Sequence, residues 1–260
     1  MSFKRMWAVF LRYFYVSSHL DQISDLFYWP AIDIFLWGMT SVWIQHHQQG
    51  VPNVLLIILT GLIFWHIIWR ANYEVPVNLL MEFWNRNLVN LFSTPLKIIE
   101  WIGGLMMLGL FKICISLSFG SLLVYILYET NVFTVGWTFL PFALCLILSG
   151  WWIGFLSASI IVYWGQRFQM MAWMMAYVFS PFSAVFYPVD SLPAWAQNIA
   201  WCLPMTYTFE GMRSILSHGT FPGHYFWISL GLNLFYFVLT TTLFSYMFEK
   251  SRMKGLSRLE

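Results

Sequence analysis

Charge is what this 260-residue chain has least of. Asp, Glu, Lys and Arg together make up 9% of it, where a soluble domain carries roughly a quarter. So little charge excludes an ordinary water-facing surface. Lys and Arg are missing altogether from stretches 46–53 and 128–138. Cysteine is scarce as well. Cys114, Cys145 and Cys202 are odd in number and lack metal-ligand spacing. That excludes a disulfide framework and leaves them expected as buried packing residues. No G-x-x-x-x-G-K-[ST] segment occurs, so this chain has no P-loop to cradle a nucleotide. There is no H-E-x-x-H helix, and His46, His47, His66, His218 and His224 are scattered. No Ser or Cys nucleophile has a recognisable base. The expectation is no catalytic, cofactor-binding or metal-binding residue. A net charge of +2 points to no nucleic acid.

What fills the chain is apolar: 60% of it is hydrophobic. Six long apolar runs stand out, at 27–44, 54–70, 102–127, 139–163, 170–187 and 225–248. A helix needs about 20 apolar residues to cross a bilayer. Barrel strands would alternate over about ten residues, which these runs do not. The expected fold is therefore all-α and membrane-integral, with six transmembrane helices.

Lys and Arg sort to one side of these runs. Lys4, Arg5 and Arg12 precede the first; Arg70, Arg86 and Lys97 lie between the second and third. Arg167 follows the fourth, and Lys250, Arg252, Lys254 and Arg258 follow the sixth. The positive-inside rule then predicts a multi-pass protein of the inner (plasma) membrane with both termini cytoplasmic. The first run begins too late for a cleaved signal peptide.

Three segments are expected to lie along the membrane rather than across it. In 1–26, Phe3, Met6, Trp7, Phe10, Tyr13 and Phe14 recur at helical spacing, with Lys4, Arg5 and Arg12 opposite. This predicts an interfacial helix with its aromatic face toward lipid. In 77–95, Val77, Met81, Trp84, Leu88 and Leu91 share one helical face, while Glu82, Arg86 and Asn90 share a polar one. Between the fifth and sixth runs, 188–217 reads as two short apolar helices broken at Pro204, a re-entrant hairpin on the outer side. Asp190 or Ser191 is expected to cap the first of them, with Pro193 in its first turn. Asp33, Lys112, Glu210 and Arg213 are charges at membrane depth, costly unless paired or hydrated. Glu210 and Arg213, three apart, are expected to meet on one helix face.

Two stretches resemble the membrane subunit of ABC-2 type ATP-binding-cassette exporters. One is Leu88-x-x-Leu91-x-x-Thr94-Pro95-Leu96 with Glu100 and Gly103-Gly104. The other is Tyr187-Pro188, Leu192-Pro193-Ala194-Trp195, Leu203-Pro204 and Glu210-Gly211-Met212-Arg213. The resemblance covers nearly the whole chain. It implies a single transmembrane domain over 1–260, pairing with a second copy of itself or a close relative. It also implies two separate ATPase subunits, which hold ATP and Mg, so that this chain carries no cofactor and is not itself an enzyme. The 77–92 stretch would be the coupling helix, with Glu82, Arg86 and Asn90 toward the ATPase. The amino-terminal helix would act as a gate helix, and the first and fifth spans would line the pathway. Glu210 and Arg213 would form an outer gate.

Polysaccharide exporters of the family usually begin with a dense basic cluster. Here Arg12-Tyr13 is followed by Asp21 and Asp25, and Asp25-Leu26-Phe27-Tyr28-Trp29-Pro30 looks more like the drug- or lipid-exporting relatives. An amphipathic substrate is therefore expected. A polysaccharide or lipid-linked glycan is the alternative within the family. An ATP-independent transporter or an intramembrane lipid-modifying enzyme are the alternatives outside it.

Overall fold

The computed structural model describes residues 2–17, 20–47 and 54–255, the side chains of 20–22 and 218 excepted, and among these there is no strand. Ten α-helices follow one another: α1 Phe3–Val16, α2 Leu20–His47, α3 Val54–Trp84, α4 Leu88–Ser93, α5 Ile98–Tyr128, α6 Phe139–Trp164, α7 Met171–Phe179, α8 Ala194–Trp201, α9 Pro204–His218 and α10 Gly223–Met253. The last residues of the expected first loop, 48–53, lie outside the described residues, as does Arg258.

Four helices are long and apolar enough to cross a membrane: α3, α5, α10, and α6 with its flanking 3-10 turns. Thirty-one residues rise about 46 Å at 1.5 Å each, more than a hydrocarbon core needs. The expected first span falls within α2, which has 28 residues. Asp33 and a high share of Trp and Tyr dilute its aliphatic content, so it does not join those four. The expected fifth span is helical only from Met171 to Phe182, and its last part is a 3-10 turn. Ser180 opens that turn with Pro181 second, and Ala184 then takes a left-handed φ of 57°.

The register of the helices follows from side-chain contacts. α3 and α5 run antiparallel, with Lys112 against Glu74 and Gly120 against Ile63. α6 runs alongside α3 in the same direction, from Phe64–Phe139 to Gly150 against Ala71. α10 follows α6, from Ser149–Asn233 to Phe155–Phe244. The bundle therefore has two ends. α1, α4 and the ends of α3, α6 and α10 gather at one; α8, α9 and the starts of α3, α6 and α10 gather at the other.

Two close approaches set this packing. Pro76 has no N–H, so the carbonyl of Asn72 lacks its usual helical donor. α6 comes in there at Gly154, where a Cβ would stand 2.7 Å from that carbonyl oxygen. Gly150 and Gly154 thus form the small-x-x-x-small contact that lets apolar helices meet backbone to backbone. At the other site, α1 lies on α5 over Gly104, where a Cβ would stand 2.6 Å from Val9 Cγ1 and 2.8 Å from the Met6 carbonyl. Val9 and Tyr13 are the buried residues of α1, while Phe3, Trp7 and Phe14 face outward. The interfacial helix expected over 1–26 ends at Val16, and α2 has begun by Leu20.

The hairpin α8–α9 turns at Cys202–Leu203, with Pro204 opening α9. Asp190 and Ser191 do not cap α8. They form their own 3-10 turn, in which Ser191 donates to the Pro188 carbonyl, and Pro193 precedes the helix. The hairpin's turn lies deep beside α10: Ser229 donates to the Pro204 carbonyl and Tyr236 to that of Cys202. Tyr236 is about 20 Å along α10 from its start. Cys145 is buried as expected, but Cys114 and Cys202 lie on the chain's outer surface; all three are free.

Candidate functional site

α3 carries a polar stripe through the apolar bundle. His66, Arg70, Glu74, Asn78 and Glu82 recur every four residues, and all are buried. Four residues overshoot a helical turn by about 40°, so the stripe winds around α3 and meets a new neighbour at each step. His66 and Arg70 face α2: His66 Nε2 is 3.6 Å from Asp33 Oδ2, and Arg70 donates to the Asp25 carboxylate at 3.0 Å and its carbonyl at 3.1 Å. Glu74 faces α5, where Lys112 Nζ reaches both its oxygens at 2.9 and 3.1 Å. Asn78 donates to Glu74 from one turn on. Glu82 faces α1.

This ladder explains how charge sits inside the bundle. Lys112 was expected to need a partner, and Glu74 supplies it. Arg70 is not a loop cation but a buried helix residue paired with Asp25. Removing one member of such a pair typically costs 3–5 kcal/mol, because the other is left charged and dry.

At the upper rungs the ladder borders a cleft of about 340 Å³ between α2, α3 and α7. Asp25, Asp33 and His66 line it. Its walls are aromatic: Trp29 from α2, Trp65, Trp69 and Tyr73 from α3, and Trp173 and Tyr177 from α7. Tyr177 packs on Trp69 with ring centroids 4.7 Å apart. A cavity of this size with few convergent polar groups has the form of a small-molecule site.

The lower rung is a node. Glu82 accepts from Arg12 at 2.8 Å, Tyr13 at 2.6 Å and Asn87 at 2.5 Å, and Trp101 Nε1 donates to the Tyr13 hydroxyl at 2.8 Å. Burial and the adjacent Glu82 carboxylate push the Tyr13 phenol up, so it stays a donor. Glu100 makes a second tie, accepting from the Ser2 and Lys97 amides and from Arg5. Arg5 also donates to the Pro95 carbonyl at 2.7 Å. The two carboxylates fasten α1 to the α3–α4–α5 corner.

The polar face expected over 77–95 is therefore rearranged. α3 continues to Trp84, a turn follows, and α4 is a separate short helix. Glu82 points inward. Arg86 sits in the turn with φ 48°, exposed, and Asn90 is exposed on α4. Glu82, Arg86 and Asn90 share no face, because the helix that would align them ends between the first and the second.

At the opposite end, Glu210 and Arg213 pair at 2.8 Å within α9, as their spacing predicts. The pair also clamps the segment before the hairpin. Arg213 donates to the carbonyls of Ala184 and Val185, and Glu210 accepts from the Val189 amide at 2.8 Å. Of the expected intramembrane charges, the structure joins Glu210 to Arg213 and sets Asp33 and Lys112 on separate rungs. Sequence reasoning passed over Glu74 and gave Tyr13, Arg70 and Glu100 no pairing role. The four-residue recurrence on α3 was the signal that could have found Arg70 and Glu74.

Among the described residues no group of His, Cys, Asp and Glu could hold a metal ion. The family model described as ABC-2 type transporter matches residues 4–217, from the second residue of α1 to the next-to-last of α9, and leaves out α10. Among curated proteins none matches the chain.

Proposed function

Because the chain belongs to the ABC-2 type transporter family, we propose that it is the membrane subunit of an ATP-driven exporter in which two copies enclose the pathway. The family match over 4–217 carries the reading. Such a permease works with a separate ATP-binding subunit, which would hold the nucleotide and Mg. Six crossings are supported by α2, α3, α5, α6, α10 and a composite fifth element. That element runs from Trp173, stacked on Trp84, to Val185, against Gly61, and so follows α3 for most of its length. The depth of the α8–α9 turn beside Tyr236 supports a re-entrant hairpin.

Cytoplasmic termini are supported by the charges. Lys4, Arg5, Arg12, Arg86, Lys97, Arg167, Lys250, Arg252 and Lys254 belong to the α1 end, and Arg213 to the other. The ATPase would then dock at α4, with Arg86 and Asn90 outward and Glu82 bracing the corner from within. A groove of about 530 Å³ between the α4–α5 link and the end of α10 lies beside it. The pathway would run past the cleft, whose walls come from α2 and α7, and the outward aromatic face of α2, with Trp29, Phe35 and Trp43 exposed, would meet the second copy. Glu210 and Arg213 would keep the outer hairpin shut. The substrate would be amphipathic, drug-like or lipid-like; the aromatic walls also favour a second reading, a polysaccharide or lipid-linked glycan stacked on them.

Co-expression with an ATP-binding-cassette ATPase tests the core of this. A stable complex whose ATP hydrolysis drives accumulation in inverted vesicles is the expected result. A chain that purifies without any ATPase and transports without ATP would sink it.

A further inference from the structure

We propose that the cleft between α2, α3 and α7 is a binding site for an organic cation. This deepens the exporter reading, since the cation would be its cargo, but the site can be tested without the ATPase. The charge balance of the cleft is the first argument. Arg70 is engaged by the Asp25 side chain and carbonyl. Among the described residues no Lys or Arg pairs with Asp33, whose side chain is 34% exposed into this region. Asp33 is therefore the carboxyl in the cleft that, among the described residues, no Lys or Arg offsets, while Asp25 has Arg70. A charge at such depth marks a site awaiting a partner.

The geometry around Asp33 is the second argument. His66 is buried, its Nε2 has no hydrogen-bond partner, and it lies 3.6 Å from Asp33 Oδ2. That gap is too wide for a hydrogen bond between the two. Asp33 and the His66 ring both line the cleft. A cation in the cleft is drawn to the Asp33 carboxylate, and an anion is repelled by it.

The walls are the third. Trp29, Trp69 and Tyr177 line the cleft together with Asp33. Aromatic faces attract cations, most strongly where water is excluded. A carboxylate ringed by Trp and Tyr suits an alkyl- or arylammonium better than a polyhydroxyl chain.

The test uses the purified chain in phosphatidylcholine nanodiscs, with tetraphenylphosphonium as probe and tetraphenylborate as its anion of like shape. Saturable phosphonium binding, read by tryptophan quenching, is expected, with no saturable binding of the borate. Asp33→Asn should weaken phosphonium binding roughly tenfold, and Asp33→Glu should recover most of it. Trp29→Ala, at a ring 52% exposed in the free chain, tests the site should Asp33→Asn fail to fold, and should weaken binding several-fold. Equal binding of the borate, or unchanged binding in both Asp33→Asn and Trp29→Ala, would overturn the proposal. So would saturable maltoheptaose binding with none of the phosphonium, which would make the cleft a sugar site. Phosphonium binding by a chain that never engages an ATPase would keep the cation site and sink the exporter reading instead.

Discussion

The two ends of the bundle are fastened in opposite ways. At the α1 end, two carboxylates, Glu82 and Glu100, collect donors from α1, from Ser2 before it and from two connections, so each tie has a neighbour that shares its load. At the hairpin end, one guanidinium does most of the holding. Arg213 bonds Glu210 and two backbone carbonyls, and Glu210 in turn holds the Val189 amide. Distributed ties make a corner that moves as a unit. A single clamp makes a joint that opens when one residue changes. The first suits a surface that receives force from a partner, the second a part that must let go.

Arg213→Gln should therefore have the largest effect. It leaves two carbonyls without their donor and the part-buried Glu210 carboxylate with only the Val189 amide, a loss of about 3 kcal/mol in thermal unfolding of the detergent-purified chain. Adding Glu210→Gln should not restore the loss, since the carbonyls of Ala184 and Val185 stay unpaired. A double variant as stable as the parent would show that the clamp is only an ion pair. Glu82→Gln should come next, at about 2 kcal/mol. It keeps an acceptor for Tyr13 but loses the charge that draws Arg12, and Glu100 still holds α1. Detachment of α1, read by labelling of a cysteine at Val9, would mean the ties are not shared. Arg5→Gln should matter least, within about 1 kcal/mol, because its side chain is 45% exposed and water screens the pair. A loss as large as that of Arg213→Gln would erase the contrast between the ends.

The comparison also shows which features the sequence carries on its face. α3, α5, α6 and α10 were legible because long apolar runs have few other outcomes. Glu210–Arg213 was legible because the pair is local, three residues apart on one helix. Its carbonyl contacts were not, since Ala184 and Val185 approach only when the chain breaks after Phe182. An apolar run reads the same whether its backbone is helical or turned. The polar ladder was hidden for a different reason: the second span was ended at Arg70, as though a cation must mark a loop. Asp25, 45 residues away, makes Arg70 a core residue. Glu82 was read as solvent-facing for the same reason, its partners Arg12 and Tyr13 lying about seventy residues upstream.

The ladder on α3 bears on how the chain enters a membrane as it is made. α3 presents Arg70, Glu74 and Glu82 before α5, and with it Lys112, has been synthesised. Asp25 and Arg12 are already available, but Glu74 has no counter-ion yet. The helix is thus expected to stay short of its final depth until Lys112 arrives 38 residues later, so that the two helices enter together. Nascent chains truncated just before Lys112 should leave a cysteine placed at Val75, which is buried in the folded chain, open to aqueous reagents, and chains extended through α5 should close it. Closure without Lys112 would mean that α3 settles alone.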